Sequence, residues 1–237
     1  AARNALSMAL MQALDAELAA IAADPSVRVV VIAGAGPAFC AGHDLREIRA
    51  TPQREEYQAL FAQCSRLMLR LVHLPKPVIA RVHGVASAAG CQLVASCDLA
   101  VAAGSARFAT PGVNIGLFCS TPMVALSRAV GRKQAMEMLL TGELIDAATA
   151  QRFGLVNRVV PDAELDAAVA ALAEQIAGKS PLTLAIGKEA FYRQAELELE
   201  QAYAYASEVM VRNMLARDAE EGMDAFLQKR PPVWTGT

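Results

Sequence analysis

Apolar residues near the start of the chain recur at the spacing of one helix face: Leu10, Leu14, Leu18 and Ile21. Ser7 stands just before this stripe, where its hydroxyl can accept a hydrogen bond from a backbone N–H of the first turn. Asp24-Pro25 follows the last apolar position, and proline cannot continue a helix. The pattern therefore predicts an amphipathic helix that begins after Ser7 and ends at Asp24.

Short apolar runs predict strands at residues 28–33, 78–82 and 98–102. The first run is continuous and β-branched, which is typical of a strand buried on both faces of a sheet. A helix before the second run is indicated by an apolar stripe through Leu60, Leu67 and Leu71. Strands that alternate with helices favour a parallel sheet and an α/β fold. We expect the polar segment 46–56 to be mobile.

Beyond Pro161 the pattern is helical only. Asp162 is expected to cap a helix that ends at Gly178. Further helical stretches follow at residues 181–194, 196–216 and 218–228. This change divides the chain into an α/β core, residues 1–160, and a helical region, residues 161–237.

The composition argues against several kinds of partner. Hydrophobic residues make up 54% of the 237 positions, and 22 basic against 24 acidic residues leave a formal charge of −2. This balance gives no bulk attraction to nucleic acid or to a membrane surface. The five cysteines have no Cys-x-x-Cys spacing, so we expect free thiols in a reducing compartment. The three histidines include no close ligand pair, and no metal site is expected.

Two turns of small residues carry the candidate chemistry. Residues 39–44 read Phe-Cys-Ala-Gly-His-Asp, and residues 83–98 read His-Gly-Val-Ala-Ser-Ala-Ala-Gly-Cys-Gln-Leu-Val-Ala-Ser-Cys-Asp. Each turn follows a predicted strand, and small residues let backbone N–H groups approach a ligand closely. If the fold brings the turns together, two N–H donors can meet one oxygen, which is the construction of an oxyanion hole.

Two other kinds of site fit the residues less well. A dinucleotide site needs a third glycine after Gly34-x-Gly36, and Phe39 stands there instead. A serine hydrolase needs Gly-x-Ser-x-Gly, whereas Ser87 follows Gly84-Val-Ala. Neither motif is complete in this chain.

The two turns and further segments, in the same order and spacing, resemble the enoyl-CoA hydratase/isomerase family, also called the crotonase superfamily. The further segments are Arg3-Asn4-Ala5-Leu6-Ser7, Lys76-Pro77-Val78-Ile79-Ala80, Phe108-Ala109-Thr110-Pro111, Arg128-Ala129-Val130-Gly131, Thr141-Gly142-Glu143 and Gly222-Met223 to Lys229-Arg230. Within the family, residues 88–98 and 116–122 look like the branch called enoyl-CoA hydratase domain-containing protein 3.

The resemblance implies a crotonase-type spiral of repeated β-β-α units and a C-terminal helical region that packs subunits into a homotrimer or hexamer. It implies a lyase or isomerase of fatty acid metabolism that binds acyl-CoA, with coenzyme A as part of the substrate and no prosthetic group. The N–H groups of His43 and Ala89 would form the oxyanion hole. The family usually has glycine at the position of Ala89, and alanine should be harmless there if its φ is negative.

For coenzyme A the resemblance implies contacts from both ends of the chain. The candidate residues are Arg3, Ala41, Asp44, Arg46, Lys76, Phe226 and Lys229. The turn around Ala41 would meet the adenine, and the nearby bases would meet the phosphates. The two C-terminal residues match positions that reach the coenzyme A of a neighbouring subunit. Solvated surface charge is the alternative for the basic residues.

The chain departs from the family where hydratases carry two glutamates. Gln92 and Gly112 occupy those positions, and neither side chain can exchange a proton at neutral pH. Hydration needs such paired carboxylates, so we expect it to be slow or absent, and restoring both glutamates to return it. An aspartate used by dehalogenase and dienoyl-isomerase branches is replaced by Ser120.

The other polar candidates near this position are His43, Ser87, Asn114, Cys119, Ser120 and Thr121. Structural packing is the alternative for each, and Cys119 and Ser120 match positions that line the acyl pocket in relatives. An acyl-CoA enzyme and a non-catalytic acyl-CoA-binding or scaffolding protein both stay open. A decarboxylase or thioesterase activity is a smaller third possibility.

The start of the chain and its location follow from the same resemblance. The family has a strand before Arg3, so we expect an N-terminal piece to be missing. The location would be cytoplasmic in a bacterium or mitochondrial in a eukaryote.

Overall fold

A computed structural model describes residues 3–237, which form an α/β fold with helices on the faces of parallel strands. The helices are α1 (Met8–Ala23), α2 (Leu45–Ala50), α3 (Arg54–His73), α4 (Ala89–Ser96), α5 (Ser120–Ala129), α6 (Arg132–Thr141), α7 (Ala147–Phe153), α8 (Leu165–Ala177), α9 (Pro181–Gln194), α10 (Leu199–Met214) and α11 (Arg217–Gln228). The strands are β1 (Val30–Ala33), β2 (Val78–Val82), β3 (Val85–Ser87), β4 (Leu99–Ala103), β5 (Arg107–Ala109), β6 (Ile145–Asp146) and β7 (Arg158–Val160). No helix in this part of the chain is both long and apolar enough to span a membrane.

From β2 to β5, successive strands alternate between two sheets. One sheet has the order β1-β2-β4-β7 and is parallel throughout, and the other has the order β3-β5-β6, in which only β6 runs antiparallel. The chain passes from β2 directly to β3, through α4 to β4, and then directly to β5. This repeat of two strands and a helix is the predicted β-β-α spiral.

Local capping explains where the first helices begin. The Leu10 N–H donates to the Ser7 hydroxyl at 3.2 Å, which confirms Ser7 as the cap of α1. The Asp44 carboxylate accepts from the Arg46 N–H at 2.9 Å and so starts α2. Within the polar segment 46–56, only residues 51–53 lack regular structure, because α2 ends at Ala50 and α3 begins at Arg54. The side-chain cap supplies a helix start where the sequence lacks apolar periodicity.

Helix α8 packs on the first sheet rather than beside a separate domain. Its Leu165, Val169 and Leu172 form a second apolar cluster with Ile79 of β2 and Val101 of β4. The predicted boundary between residues 160 and 161 therefore separates α8 from the sheet that it covers. Gly178 ends α8 as predicted.

The predicted cap at Asp162 is wrong. Its carboxylate accepts from the Ser105 N–H at 3.0 Å and from the Ser105 hydroxyl, so it ties the β4–β5 turn instead. A short 3-10 turn, Asp162–Glu164, then leads into α8. Asp162, which follows β7, thus fastens that part of the chain to the turn between β4 and β5.

Helix α9 is fastened to the core by a buried ion pair. The Lys188 ammonium lies 2.7 Å from the Asp98 carboxylate and donates to the carbonyls of Leu71 and Lys76. The Tyr192 hydroxyl donates to the same carboxylate at 2.8 Å. Burial lowers the pKa of Lys188, and Asp98 opposes that effect. Removing one partner of such a pair costs about 3–5 kcal/mol, so α9 is held firmly.

The two small-residue turns, residues 39–44 and 83–98, are in direct backbone contact with each other. Cys40 pairs with β3, since its N–H donates to the Val85 carbonyl at 3.1 Å and its carbonyl accepts from Ser87 at 2.9 Å. The Cα of Gly90 then lies so close that an ideal Cβ there would be 2.3 Å from the Cys40 carbonyl oxygen. Only glycine allows this approach, so the sequence fixes the distance between the turns.

We expect Gly90→Ala to lower the free energy of unfolding by about 1–3 kcal/mol, because the new methyl group forces the backbone of the turns apart. Gly187→Ala on α9 is the matched control, since nothing lies within 4 Å of its ideal Cβ. Alanine should stabilise that exposed helix by about 0.5–1 kcal/mol. Urea unfolding of both variants measures the difference. A Gly90→Ala protein as stable as its parent would contradict the close contact of the turns.

Candidate functional site

The two predicted oxyanion donors lie on adjoining turns. An ideal Cβ at Gly42, the residue before His43, would lie 3.5 Å from the amide nitrogen of Ala89. Ala89 begins α4, so its N–H has no acceptor within the helix. Among residues 3–237 neither the His43 N–H nor the Ala89 N–H donates to a backbone acceptor. Two N–H groups without a backbone acceptor in residues 3–237 thus lie on neighbouring segments.

The turn that presents the Ala89 N–H is strained. Ala88 has φ +50° and ψ −114°, a conformation that costs an alanine about 1–3 kcal/mol. Its N–H donates to the Ala109 carbonyl at 2.9 Å, and its carbonyl accepts from Gln92 at 3.0 Å. These bonds hold the turn in place. Ala89 itself is helical and is not among the residues with positive φ. This is the condition under which alanine should be harmless at the position where the family usually has glycine.

The His43 side chain packs away from solvent as a neutral ring. Its Nδ1 lies 3.2 Å from the Leu6 carbonyl, and its edge meets the Phe61 ring with centroids 5.8 Å apart. Burial lowers the pKa of His43, against smaller opposite effects of the Leu6 carbonyl and of Glu47. Its Nε2 is buried without a partner among the described residues. The imidazole therefore contributes no positive charge to the turn at neutral pH.

Gln92 lies on the first turns of α4 and is 4% exposed. Its Oε1 lies 3.8 Å from the Cys64 sulfur, which can donate to it. Burial raises the pKa of Cys64 to about 11, so this thiol keeps its proton. At the first glutamate position the site thus holds a fixed, neutral amide.

The second glutamate position is filled by other atoms. Gly112 lies in a short 3-10 helix, Pro111–Ile115, and an ideal Cβ there would be 2.6 Å from the Leu117 carbonyl oxygen and 2.9 Å from the Cys119 sulfur. Burial raises the pKa of Cys119, and the Gly112 backbone opposes that effect. No side chain can begin at residue 112 without moving the backbone around it. Sequence reasoning missed this, because the blocking atoms belong to a loop that folds back.

The remaining polar candidates are placed differently from one another. Ser120 begins α5 and is exposed, with its hydroxyl 3.3 Å from the Phe118 carbonyl. Asn114 is exposed and reaches the Gly142 carbonyl. Thr121 lines the large cavity described below. Ser87 ends β3, half-buried between the two turns.

Most of the predicted coenzyme A residues are exposed, whereas others already make contacts within the chain. The Arg3 carbonyl accepts from the Ala41 N–H at 3.1 Å, so the N-terminal segment runs beside the turn, and Arg3, Ala41 and Arg46 are exposed. Asp44 uses its carboxylate to cap α2. Phe226 is 83% exposed on α11, and Lys229 is exposed just after that helix.

The burial and hydrogen bonds of Lys76 argue against its expected phosphate contact. Lys76 is buried, and its ammonium donates to the Asp24 carbonyl and, at 2.8 Å, to the Val27 carbonyl. A lysine whose donors satisfy backbone carbonyls between α1 and β1 fastens that connection. Its ammonium is held away from the surface by these contacts.

A cavity of about 1280 Å³ opens beside Gln92. Helices α3, α4 and α5 form its core side, and α9 and α10 form its other side. Its walls include Val72, Val124, Leu182 and Ile186. Sequence reasoning missed it because the five helices come from distant parts of the chain, although the apolar stripe of α3 is visible in the sequence.

Comparison with known proteins agrees with this architecture. The family model described as enoyl-CoA hydratase/isomerase matches residues 1–237. Enoyl-CoA hydratase domain-containing protein 3, mitochondrial, is 50% identical in Xenopus laevis over 98% of this chain and 79% of that protein. The human protein of the same name is 49% identical over 98% of this chain and 77% of its own length.

Solved structures give the same result. The crystal structure of an enoyl-CoA hydratase from Mycobacterium smegmatis superimposes with a TM-score of 0.96 at 57% identity, covering 98% of this chain and 91% of that one. Human enoyl-CoA hydratase domain-containing protein 3 superimposes with a TM-score of 0.95 at 48% identity, over 98% and 92% of the two chains. The branch predicted from the sequence is confirmed, and the chain belongs to the enoyl-CoA hydratase/isomerase family.

Proposed function

We propose that this protein binds acyl-CoA thioesters and polarises the thioester carbonyl through the N–H groups of His43 and Ala89. The observation that carries the proposal is the pair of turns in backbone contact, whose neighbouring segments carry two N–H groups without a backbone acceptor in residues 3–237. The strain at Ala88 supports it, because strained backbone persists where the surrounding structure holds it in place and often marks a functional turn.

The chemistry follows from where charge develops. When a proton leaves or joins the carbon beside a thioester carbonyl, negative charge builds on the oxygen. Preorganised N–H donors stabilise that charge, and removing one donor typically costs about 100–1000-fold in rate. The positive N-terminal end of α4 adds to the effect at Ala89.

For coenzyme A, we propose contacts from Arg3, Ala41 and Arg46, which are exposed near the turn 39–44. Phe226 and Lys229 would act on the coenzyme A of a neighbouring subunit, since both are exposed on the C-terminal side of the chain. Lys76 is not part of this set.

The neutral groups at residues 92 and 112 favour chemistry that needs no protein base. Hydration requires one group to activate water and one to deliver a proton. Decarboxylation of a 2-carboxyacyl thioester requires neither in its first step. The bond between the α-carbon and the carboxylate breaks, carbon dioxide leaves, and the electron pair enters the enolate held by the two N–H groups. Solvent then protonates the carbon. Decarboxylation is therefore our second candidate, and binding without turnover is the third.

The thiols are consistent with a reducing compartment. All five cysteines are free and buried. Burial raises the pKa of Cys91 to about 12, so it stays a protonated thiol. We propose a mitochondrial or bacterial cytoplasmic location, and the Xenopus and human relatives are named as mitochondrial.

We expect a conjugated thioester such as cinnamoyl-CoA to show a red-shifted absorption band on binding, because two N–H donors draw electrons toward its carbonyl. Gly42→Ala should abolish the shift and weaken binding about tenfold, the loss of one to two net hydrogen bonds. Its ideal Cβ lies 3.0 Å from the Ala88 Cβ and from the Ser87 carbonyl.

Gly36→Ala is the matched control for that experiment. Gly36 has φ +73°, close to the +92° of Gly42, but nothing lies within 4 Å of its ideal Cβ. Both variants carry the backbone strain, and only Gly42→Ala should move the donors. No binding of any acyl-CoA at millimolar concentration would refute the proposal.

We expect crotonyl-CoA hydration to be at least about a hundredfold slower than in a relative with both glutamates, because general acid–base groups contribute about 100–10,000-fold. The sequence alone suggested that Gln92→Glu with Gly112→Glu would restore it. The crowding of Gly112 argues against that idea, and we expect the double variant to be destabilised and to remain slow. A steady-state assay over crotonyl-, 3-enoyl- and malonyl-type thioesters measures these rates. A normal hydratase rate in the parent protein would show that another group supplies the proton.

We further propose that the chain assembles into a trimer or hexamer. Large apolar side chains are exposed on α10 and α11: Met210, Val211, Met214, Phe226 and Leu227. Such surface is typical of an interface between subunits. Light scattering should therefore give three or six times the 25.0 kDa of one chain. A stable monomer would refute the assembly and the cross-subunit roles of Phe226 and Lys229.

A further inference from the structure

The cavity beside Gln92 begins where an acyl chain would leave the two N–H groups. Gln92 follows Ala89 by three residues on α4, which is about 5 Å along the helix axis. The same Gln92 lines the cavity, together with Ala95 and Ser96 of the next turn. A thioester carbonyl held at the Ala89 N–H would therefore lie within about one helix turn of the cavity wall.

Two of the buried or half-buried polar side chains in the cavity are already hydrogen-bonded. The Ser96 hydroxyl donates to the Gln92 carbonyl at 2.8 Å, and the Tyr192 hydroxyl donates to Asp98. The rest of the lining is mostly apolar, with Met68 and Ile186 buried, and Thr121 and Ser65 are its other hydroxyl side chains. A ligand end that reaches this space must be apolar as well, because a buried polar group without a partner is costly.

The charged residues of the cavity lie at its outer rim. They are Arg128, Glu189, Arg193, Glu196 and Arg212, all of them exposed. Arg128 and Glu196 form an ion pair across the rim at 2.9 Å. Leu69 and Val124 also line the cavity, and the side chains of both are more than half exposed. This is apolar surface that an occupant would cover.

From these observations we infer that the cavity holds the acyl chain, and that the substrate class is CoA thioesters of long, unsubstituted chains of about ten carbons or more. The inference rests on the proposed function. Typical ligand pockets measure about 300–1000 Å³, and this cavity of about 1280 Å³ exceeds them. A short acyl group would leave most of its aliphatic wall in contact with water, whereas a long chain would cover it.

The test is a series of dissociation constants for saturated acyl-CoAs of four, eight, twelve and sixteen carbons, measured by calorimetry below their micelle concentrations. We expect affinity to rise about tenfold for each added pair of carbons up to about twelve, somewhat less than full burial of two methylenes would give. Ala125→Phe and Ala185→Phe fill the cavity from α5 and from α9. Each should lower the ratio of twelve-carbon to four-carbon affinity at least tenfold.

Ala171→Phe on the exposed face of α8 is the control, and it should leave the ratio of twelve-carbon to four-carbon affinity unchanged. A twelve-carbon acyl-CoA with a photoreactive group at its chain end supplies a second measurement on the unaltered protein. We expect it to label α5 or α9. Labelling confined to other elements would overturn the inference.

Other outcomes separate this inference from the proposed function. If four-carbon acyl-CoA binds with a polarised carbonyl but affinity does not change with chain length, the cavity does not hold the chain and the proposed function stands. If no acyl-CoA binds, the proposed function fails. If the filling variants change the mass of the assembly and not the affinities, the cavity belongs to a subunit interface and the inference is wrong.

Discussion

The contact between two backbone segments, Cys40 against Gly90, is the constraint on which the site depends. The approach is closer than any side chain would permit, and it is locked by the pairing of Cys40 with β3. Because β3 leads directly into α4, the position of Cys40 fixes the start of that helix and therefore the direction of the Ala89 N–H. The His43 N–H is carried on the same segment as Cys40. The geometry of the two donors is thus set by backbone packing and not by any ionisable side chain.

This dependence explains why the chain can lose both family glutamates and keep its fold. The thiol of Cys119 and the carbonyl of Leu117 occupy the space beside Gly112, and Gln92 accepts a hydrogen bond within the core. Both positions are neutral and well packed. In the proposed function, the two N–H groups that would act on the carbonyl oxygen are kept, and the two positions where relatives would move protons hold neutral groups.

The sequence predicted the elements whose signal is local. Apolar runs located the strands, Ser7 located the first cap, and the small residues of both turns located the candidate donors. It failed where the deciding partner is distant. Lys76 is held by carbonyls some fifty residues earlier, and Asp162 is held by Ser105 rather than by its own helix. The space at Gly112 and the large cavity depend on how segments fold back on one another, which no local pattern records.

The ion pair between Lys188 and Asp98 makes the two sides of the cavity mechanically unequal. It anchors α9 to the core by a buried charge, two carbonyl bonds and the Tyr192 hydroxyl. Helix α10 has no buried residue and packs mainly on α9. Local opening needs less free energy where few contacts are buried, so displacing α10 from the cavity would need less free energy than displacing α9. Within one chain, α9 is therefore the fixed side of the cavity, and the position of α10 depends on its packing against α9 and on the subunit contacts proposed for its exposed apolar side chains.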